Sequence, residues 1–156
     1  MEHPPTFRPY RVTDLDTCLQ LFDRNCPLAF APNERAEYQQ FLNEKAQGNY
    51  ELCLNQETVV GAFGLLRLAS EQQAAAIRWI MLDPQAQGLG LGTKIMEHIV
   101  TEAILQNIQR IHIAASHISR PFFARFGAQV VRETKDGWGP DMHRIDMELA
   151  PEMHSK

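Results

Sequence analysis

At 156 residues with a formal net charge of −4, the chain can bury one full hydrophobic core and lacks the basic stripe a nucleic-acid partner needs. Hydrophobic residues make up 44% and charged residues 22%, the balance of a soluble globular domain. No apolar run approaches membrane-spanning length, and the start, Met1-Glu2-His3-Pro4-Pro5, has no apolar signal region. Cys18, Cys26 and Cys53 show no C-x-x-C spacing, which predicts reduced thiols in a cytoplasmic protein and neither a disulfide frame nor a metal site. The expected organisation is a single domain over residues 1–156, without repeat or linker.

Phe7–Val12 reads as a first strand. Thr13-Asp14-Leu15-Asp16 predicts a helix start with Thr13 as cap, and Leu15, Cys18, Leu19 and Phe22 then recur at helical spacing. The segment from Asn25 to Pro32 carries two prolines, Pro27 and Pro32, and breaks that helix. A second helix is predicted from Asn33 or Glu34 to Ala46, with Tyr38, Phe41 and Leu42 facing inward. Tyr50–Leu54 and Thr58–Leu68 read as strands joined through Asn55-Gln56-Glu57. Gly61 and Gly64 are expected where the second strand bends or another backbone lies close.

After a turn at Ser70–Gln73, the next strand runs from about Ala74 to Leu82; its apolar Ile77, Trp79, Ile80, Met81 and Leu82 suit burial on both faces. Asp83-Pro84 ends it, because proline offers no N–H to a ladder and restricts the residue before it. A long helix is predicted over Gly90–Asn107, with Leu91, Ile95, Met96, Ile99, Val100, Ala103 and Ile104 on its apolar face. Arg110–Ser116 is the following strand. A short helix, Ser119–Phe126, has Ser119 as cap, Pro121 in its first turn and Gly127 after its end. Ala128–Thr134 and Met142–Leu149 read as final strands around a turn-rich loop, Lys135–Asp141.

Between the strand ending at Leu82 and the long helix lies Gln87-Gly88-Leu89-Gly90-Leu91-Gly92-Thr93. Alternating glycines let the backbone curl with bare N–H groups, and the helix start adds unpaired N–H groups and a positive dipole end. Such a loop suits phosphates. A dinucleotide fingerprint wants G-x-G-x-x-G and an acid about 20 positions on, yet the spacing here is G-x-G-x-G and Arg110–Ser116 carries no acid. A P-loop wants G-x-x-x-x-G-K-[ST], and Gly92-Thr93-Lys94 has the wrong order.

Gln87-Gly88-Leu89-Gly90-Leu91-Gly92 resembles the [RQ]-x-x-G-x-[GA] loop by which the GNAT superfamily of N-acetyltransferases holds the pyrophosphate of acetyl-CoA. Phe122-Phe123-Ala124-Arg125-Phe126-Gly127-Ala128 is similar to the family's F-Y-x-x-x-G-[FY] segment, and the order β-α-α-β-β-β-α-β-α-β-β resembles its fold over essentially the whole chain. The resemblance implies an α/β (α+β) GNAT fold. Its central, mostly antiparallel mixed sheet would have about seven strands, splayed between the fourth and fifth and flanked by four helices.

The same resemblance implies direct transfer of an acetyl group from acetyl-CoA to a primary amine in a ternary complex. Backbone donors from Leu89 to Thr93, with Gln87, would hold the diphosphate. The strand at Met81 and Leu82 would pair with the pantetheine arm, and Ser116, Phe123 and Arg125 would also touch the cofactor. An N–H near Ile80–Leu82 would meet the developing oxyanion. The stretch around Phe22, Asn25, Phe30, Pro32 and Glu34 stands where the family builds its acceptor wall, to which Trp138, Asp141 and His143 would add. The last strand, with alternating His143, Ile145, Met147 and Leu149, can serve a homodimer or ordinary burial.

Two departures concern proton transfer. Where the family often has a tyrosine to protonate the leaving thiolate, this chain has Phe123; His117 and Ser116 are the nearest replacements. The strand Ala74–Leu82 carries no carboxylate, only Arg78, so a base must come from elsewhere, with Glu34, Asp141 and His143 as candidates. A thiol titrates near about 8.5, so its anion is a tolerable leaving group, and a general acid adds about 10²–10⁴-fold. These departures sustain a second reading, a non-catalytic acyl-CoA-binding sensor or interaction module of the same fold.

Overall fold

The structure is a computed structural model and describes residues 3–26 and 30–152; the middle of the predicted Asn25–Pro32 loop and the first two residues lie outside the described residues. In chain order the elements are β1 (Thr6–Pro9), α1 (Leu15–Arg24), α2 (Arg35–Glu44), β2 (Tyr50–Asn55), β3 (Thr58–Arg67), β4 (Ala74–Leu82), α3 (Leu91–Leu105), β5 (Arg110–Ser116), α4 (Arg120–Ala124), β6 (Gln129–Gly139) and β7 (Met142–Leu149). The seven strands form one sheet in the order β1-β2-β3-β4-β5-β7-β6. β1–β2, β2–β3, β5–β7 and β6–β7 are antiparallel and β4–β5 is parallel, so the sheet is mixed and mostly antiparallel, as expected.

The β4–β5 ladder runs from Ala74↔Arg110 to Ile77↔Ile113 and stops there, although β4 continues through Leu82 and β5 through Ser116. The parallel pairing therefore covers less than half of β4. No helix among the described residues is long and apolar enough to cross a membrane.

Two compact units divide the chain: one takes the described residues up to Gly64 with Trp79–Ile95, the other Leu65–Arg78 and the described residues from Met96 onward. The first unit is built on aromatic packing. Phe22, Tyr38 and Tyr50 are almost fully buried with Leu21, Leu52 and Phe63, because α1 and α2 each turn an apolar face inward. The second unit buries Met96, Ile99 and Ala103 of α3, Ile111 and Ile113 of β5, and Ile145, Met147 and Leu149 of β7. Both edges of β7 are paired, to β5 and to β6, and its alternating Ile145, Met147 and Leu149 are buried.

Three local expectations need correction. The first helix is not capped by Thr13. A single 3₁₀ turn over Val12–Asp14 precedes α1, and the Asp14 carboxylate caps it by accepting the Arg11 N–H at 2.8 Å. The same carboxylate takes both Arg8 NH groups, at 2.8 and 2.9 Å, which holds its pKa below the ordinary value. At α4, Ser119 gives no side-chain cap; its hydroxyl turns back to accept the Ser116 N–H at 3.0 Å. The stretch Lys135–Gly139 is not loop but the end of β6, with a register shift between Thr134 and Gly139. Its glycines and the neighbouring proline are turn signals, yet the reversal occurs only at Pro140-Asp141, where Asp141 takes φ +60°.

Candidate functional site

In the first unit β4 delivers the chain into the glycine loop. The Asp83 N–H bonds the Val60 carbonyl at 2.7 Å, and the Asp83 carboxylate accepts the Gln85 N–H at 3.0 Å, capping a 3₁₀ turn over Pro84–Ala86. Arg24 pairs with the same carboxylate at 3.1 Å. Ala86 and Leu91 are buried and pin the loop at both ends, while Gln87, Gly88, Leu89 and Gly90 between them are exposed.

Gly88 and Gly90 adopt φ +84° and +77°, the left-handed region in which an L side chain is strained. A Cβ at either position would meet no atom within 4 Å, so glycine is required there by backbone conformation and the space above the loop is open. Gly92 differs: it lies in the first turn of α3. The Lys94 N–H bonds the Gly90 carbonyl at 3.2 Å, which leaves the N–H groups of Leu91, Gly92 and Thr93 before the intrahelical ladder begins. An exposed, left-handed loop running into a helix start is a cradle for an anion.

Upstream of the loop, β4 carries a kink that no sequence pattern announced. Trp79 has φ +49°, a conformation that costs a bulky residue about 1–3 kcal/mol and persists only where its surroundings impose it. The imposition is visible. Tyr50 Oη donates to the Trp79 carbonyl at 2.6 Å, and the Tyr38 and Tyr50 hydroxyls lie 3.0 Å apart. Tyr50 has one proton, already spent on Trp79, so Tyr38 donates to Tyr50. The chain thus runs Tyr38→Tyr50→Trp79.

Burial pushes the Tyr38 and Tyr50 phenols far above their ordinary value and the Cys18 thiol up to about 11, so the chain stays protonated. The Trp79 ring is wedged against Tyr38, Phe30 and Phe22, with centroids 5.0, 5.9 and 6.4 Å away. On β3, Gly61 removes a side chain that would stand 3.0 Å from the Met81 carbonyl. Met81 is buried and Leu82 half-buried.

Of the acceptor-wall candidates in this unit, Phe30 is half-buried and stacks on Phe22 at 5.1 Å. Asn25 is buried, and its side chain donates to the Leu21 carbonyl at 2.9 Å, closing α1. Glu34 is 5% exposed; its Oε2 accepts the Ala31 N–H at 2.8 Å, and burial pushes its carboxyl upward.

The second unit gathers the other candidates at the end of β5. Ser116 is buried, and its Oγ accepts the N–H groups of Ile118 and Ser119 at 3.2 and 3.1 Å. Both lone pairs are therefore engaged in shaping the turn into α4. His117 Nδ1 accepts the His143 N–H at 3.2 Å. A backbone N–H can only donate, so the ring proton of His117 sits on Nε2. His143 is fixed likewise, its Nδ1 accepting the Asp136 N–H at 3.0 Å, and the two imidazoles stand 4.8 Å apart.

Trp138 Nε1 donates to the Ala115 carbonyl at 2.8 Å, and the Arg144 guanidinium covers its ring at 4.8 Å. The Asp141 N–H bonds Asp136 Oδ1 at 2.8 Å. Phe123 is 3% exposed, whereas Arg125 is exposed and lies over Phe122 at 5.4 Å.

Phe30, Glu34, Met81, Leu82 and the loop therefore belong to the first unit, and Ser116, His117, Phe123, Arg125, Trp138, Asp141 and His143 to the second. Sequence reasoning missed Tyr50 and Tyr38 as polar groups, since a buried tyrosine in an apolar pattern reads as packing. It also treated Arg78 only as a charge on β4.

Comparison with known proteins agrees with this architecture. The ribosomal-protein-S18-alanine N-acetyltransferase from Escherichia coli superposes with TM-score 0.77 at 14% identity, covering 98% of this chain and 97% of that one. Ard1 from Thermoplasma volcanium gives 0.78 at 12%, covering 96% and 99%. N-acetylglutamate synthase from Neisseria gonorrhoeae, complexed with coenzyme A and N-acetyl-glutamate, gives 0.73 at 17%, covering 98% of this chain and 36% of that one. No curated protein matches the chain in sequence. At such identities the likeness shows the fold. The model of the Acetyltransferase (GNAT) family matches residues 15–128, and with the glycine loop and the interrupted β4–β5 ladder in place the chain belongs to that family.

Proposed function

We propose that the protein is an N-acetyltransferase that moves an acetyl group from acetyl-CoA to a primary amine by direct attack. The observation that carries this reading is the loop Gln87–Thr93, whose left-handed glycines are open to solvent and lead into the first turn of α3. Its chemistry fits a diphosphate: bare N–H groups, a helix start and no carboxylate between Gln87 and Thr93. Coenzyme A in the Neisseria gonorrhoeae relative supports the same assignment.

Acetyl-CoA supplies the thioester carbonyl; the amine forms the new C–N bond, the C–S bond breaks, and one proton leaves the nitrogen. The kinked segment Trp79–Leu82 offers backbone N–H groups for the oxyanion and the edge for the pantetheine arm. For the departing sulfur, His117 Nε2–H is a hydrogen-bond donor, because its Nδ1 is already engaged. For the amine, Glu34 is a base whose carboxyl is raised by burial, the direction that base catalysis near neutrality needs. Phe30 and Trp138 would line the acceptor, with Asp141 and His143 beside the latter. The protein would work in the cytoplasm.

One observation favours a second reading. Phe123 stands at the family's tyrosine position without a hydroxyl and is 3% exposed, and β4 has no carboxylate; both suit a non-catalytic acyl-CoA sensor. Incubation with acetyl-CoA and a broad amine panel, following free CoA thiol, decides between them. Gly90→Glu puts a strained side chain and a negative charge into the cradle and should abolish acetyl-CoA binding. Amine-dependent thiol release lost in that variant establishes the transferase. Tight binding with no release from any amine establishes the sensor, and no binding at all removes both.

A further inference from the structure

Arg78 is out of character for its position. β4 is the middle strand of the seven, and a middle strand covered on both faces reads as a continuous apolar run. Ala74, Ala75, Ala76 and Ile77 obey this and are buried, but Arg78 is exposed. It is also the first residue past Ile77↔Ile113, where the β4–β5 ladder stops. The only charge on β4 is thus exposed just past the point where the edge of β4 ceases to pair with β5.

The sheet's other arginines are provided for. Arg8 on β1 is held by Asp14 and Arg67 on β3 donates to the Gln106 carbonyl. Arg110 on β5 is held by Glu71, and Arg132 on β6 and Arg144 on β7 by Asp146. Arg78 has no hydrogen-bond or ion-pair partner among the described residues. An arginine fork matches a carboxylate with two parallel N–H···O bonds, which is why it is used where a planar anion is read. The next residue, Trp79, has its carbonyl tied by Tyr50 at 2.6 Å and its ring against Tyr38, so the strand that presents Arg78 is fixed. A fixed strand and an exposed guanidinium without a partner among the described residues make half of an ion pair.

We infer that Arg78 reads a carboxylate on the acceptor, so that the amine acetylated is an amino acid or another amine bearing a carboxylate, not a polyamine. This rests on the transferase reading above. A polyamine would bring further positive charge to a guanidinium that no acid among the described residues pairs with, a like-charge cost.

The test compares free amino acids with their α-amides as acceptors, for the wild-type protein and for Arg78→Gln and Arg78→Lys. The wild type should prefer the acids in kcat/KM by about 10–100-fold, the range of one charge-assisted bidentate contact. In Arg78→Gln that ratio should fall to near one, and Arg78→Lys, which keeps the charge but not the fork, should lie between. Because Arg78 is exposed, folding of the variants can be checked by thermal unfolding.

A second arm is independent of turnover: calorimetric titration with N-acetyl-L-leucine and N-acetyl-L-phenylalanine against their amides. Acid-selective binding that Arg78→Gln abolishes supports the inference even for a protein that transfers nothing. Equal use of acids and amides, a preference retained in Arg78→Gln, or acid-selectivity in neither arm overturns it while leaving acetyl-CoA binding, and the transferase reading, standing. Failure to bind acetyl-CoA removes that reading, and the titration still decides the role of Arg78.

Discussion

Tyr50→Phe tests the kink in β4 with the smallest possible change, one oxygen. The aromatic ring stays, so no cavity opens and its edge contacts with Phe41 and Tyr38 at 5.3 and 6.2 Å persist. What disappears is the donor to the Trp79 carbonyl at 2.6 Å and the acceptor for Tyr38 at 3.0 Å. A carbonyl stripped of its partner inside the protein costs about 1–3 kcal/mol, and the lost tyrosine pair adds about 1 kcal/mol. For a chain of this size each kcal/mol lowers Tm by about 2–4 °C, so the variant should melt roughly 4–16 °C lower.

Tyr38→Phe is the control. It also loses the 3.0 Å bond, but Tyr50 still donates to Trp79, so about 1 kcal/mol is expected. Denaturant unfolding measures both. In the catalytic assay, Tyr50→Phe should lower kcat more than it weakens acetyl-CoA binding, because the kink sits on β4 and the cradle on the following loop. Equal destabilisation by the two variants would show that the Trp79 carbonyl draws nothing from Tyr50, and the account of the kink would be wrong.

Two other substitutions probe the same unit. Gly61→Ala places a Cβ 3.0 Å from both Ile95 Cδ1 and the Met81 carbonyl; the side chain can shift but the carbonyl cannot, so a loss of about 1–3 kcal/mol is expected, read by denaturant midpoint. Asp14→Asn removes the charge that Arg8 and the Arg11 N–H share, for about 1–3 kcal/mol at neutral pH. Its pH dependence has a definite sign. The folded pKa of Asp14 lies below the ordinary value, so its contribution is complete above about pH 4, the unfolded value, and is lost as pH falls through the folded one. Stabilities of wild type and variant should therefore differ at pH 7 and approach each other as the pH falls into acid; a gap that does not narrow on acidification would refute the assignment.

What could be read from the sequence follows where the chemistry is written. β5 and β4 were legible to the residue because apolar runs between Pro, Gly and polar turns have no other use. The left-handed turn of the Gly88–Gly90 loop was legible because glycine is the residue type that advertises backbone conformation. Trp79 was hidden for the converse reason: its left-handed conformation is imposed by Tyr50, distant in sequence, and nothing in the letters W or Y records it. β6 was cut short because Gly137 and Gly139 signal a turn equally well when they sit in an irregular ribbon. Gly137 has its own tertiary cause, since a Cβ there would stand 2.5 Å from Arg144 Cβ. Glu34, read in the sequence as a candidate base, and Asp14, read as part of a helix start, are both buried, and each holds the N–H that opens a 3₁₀ turn.

The hydrogen-bond directions around β5 narrow the missing-acid problem. Ser116 was a candidate donor to the leaving sulfur, but two N–H groups occupy its oxygen, and its remaining hydroxyl proton has Ser119 Oγ at 3.3 Å. His117 retains a free choice at only one nitrogen, Nε2, which must carry the proton while His143 donates to Nδ1. A neutral imidazole N–H gives up a proton poorly, so what His117 offers is a hydrogen bond to an anion, not a proton. That suffices for a thiolate, whose conjugate acid titrates near about 8.5, and would not suffice for an alkoxide. On the proposed transferase reading, the absence of a hydroxyl at Phe123 would be compatible with a thioester donor, with expulsion of the anion and its protonation as separate events, the second left to water.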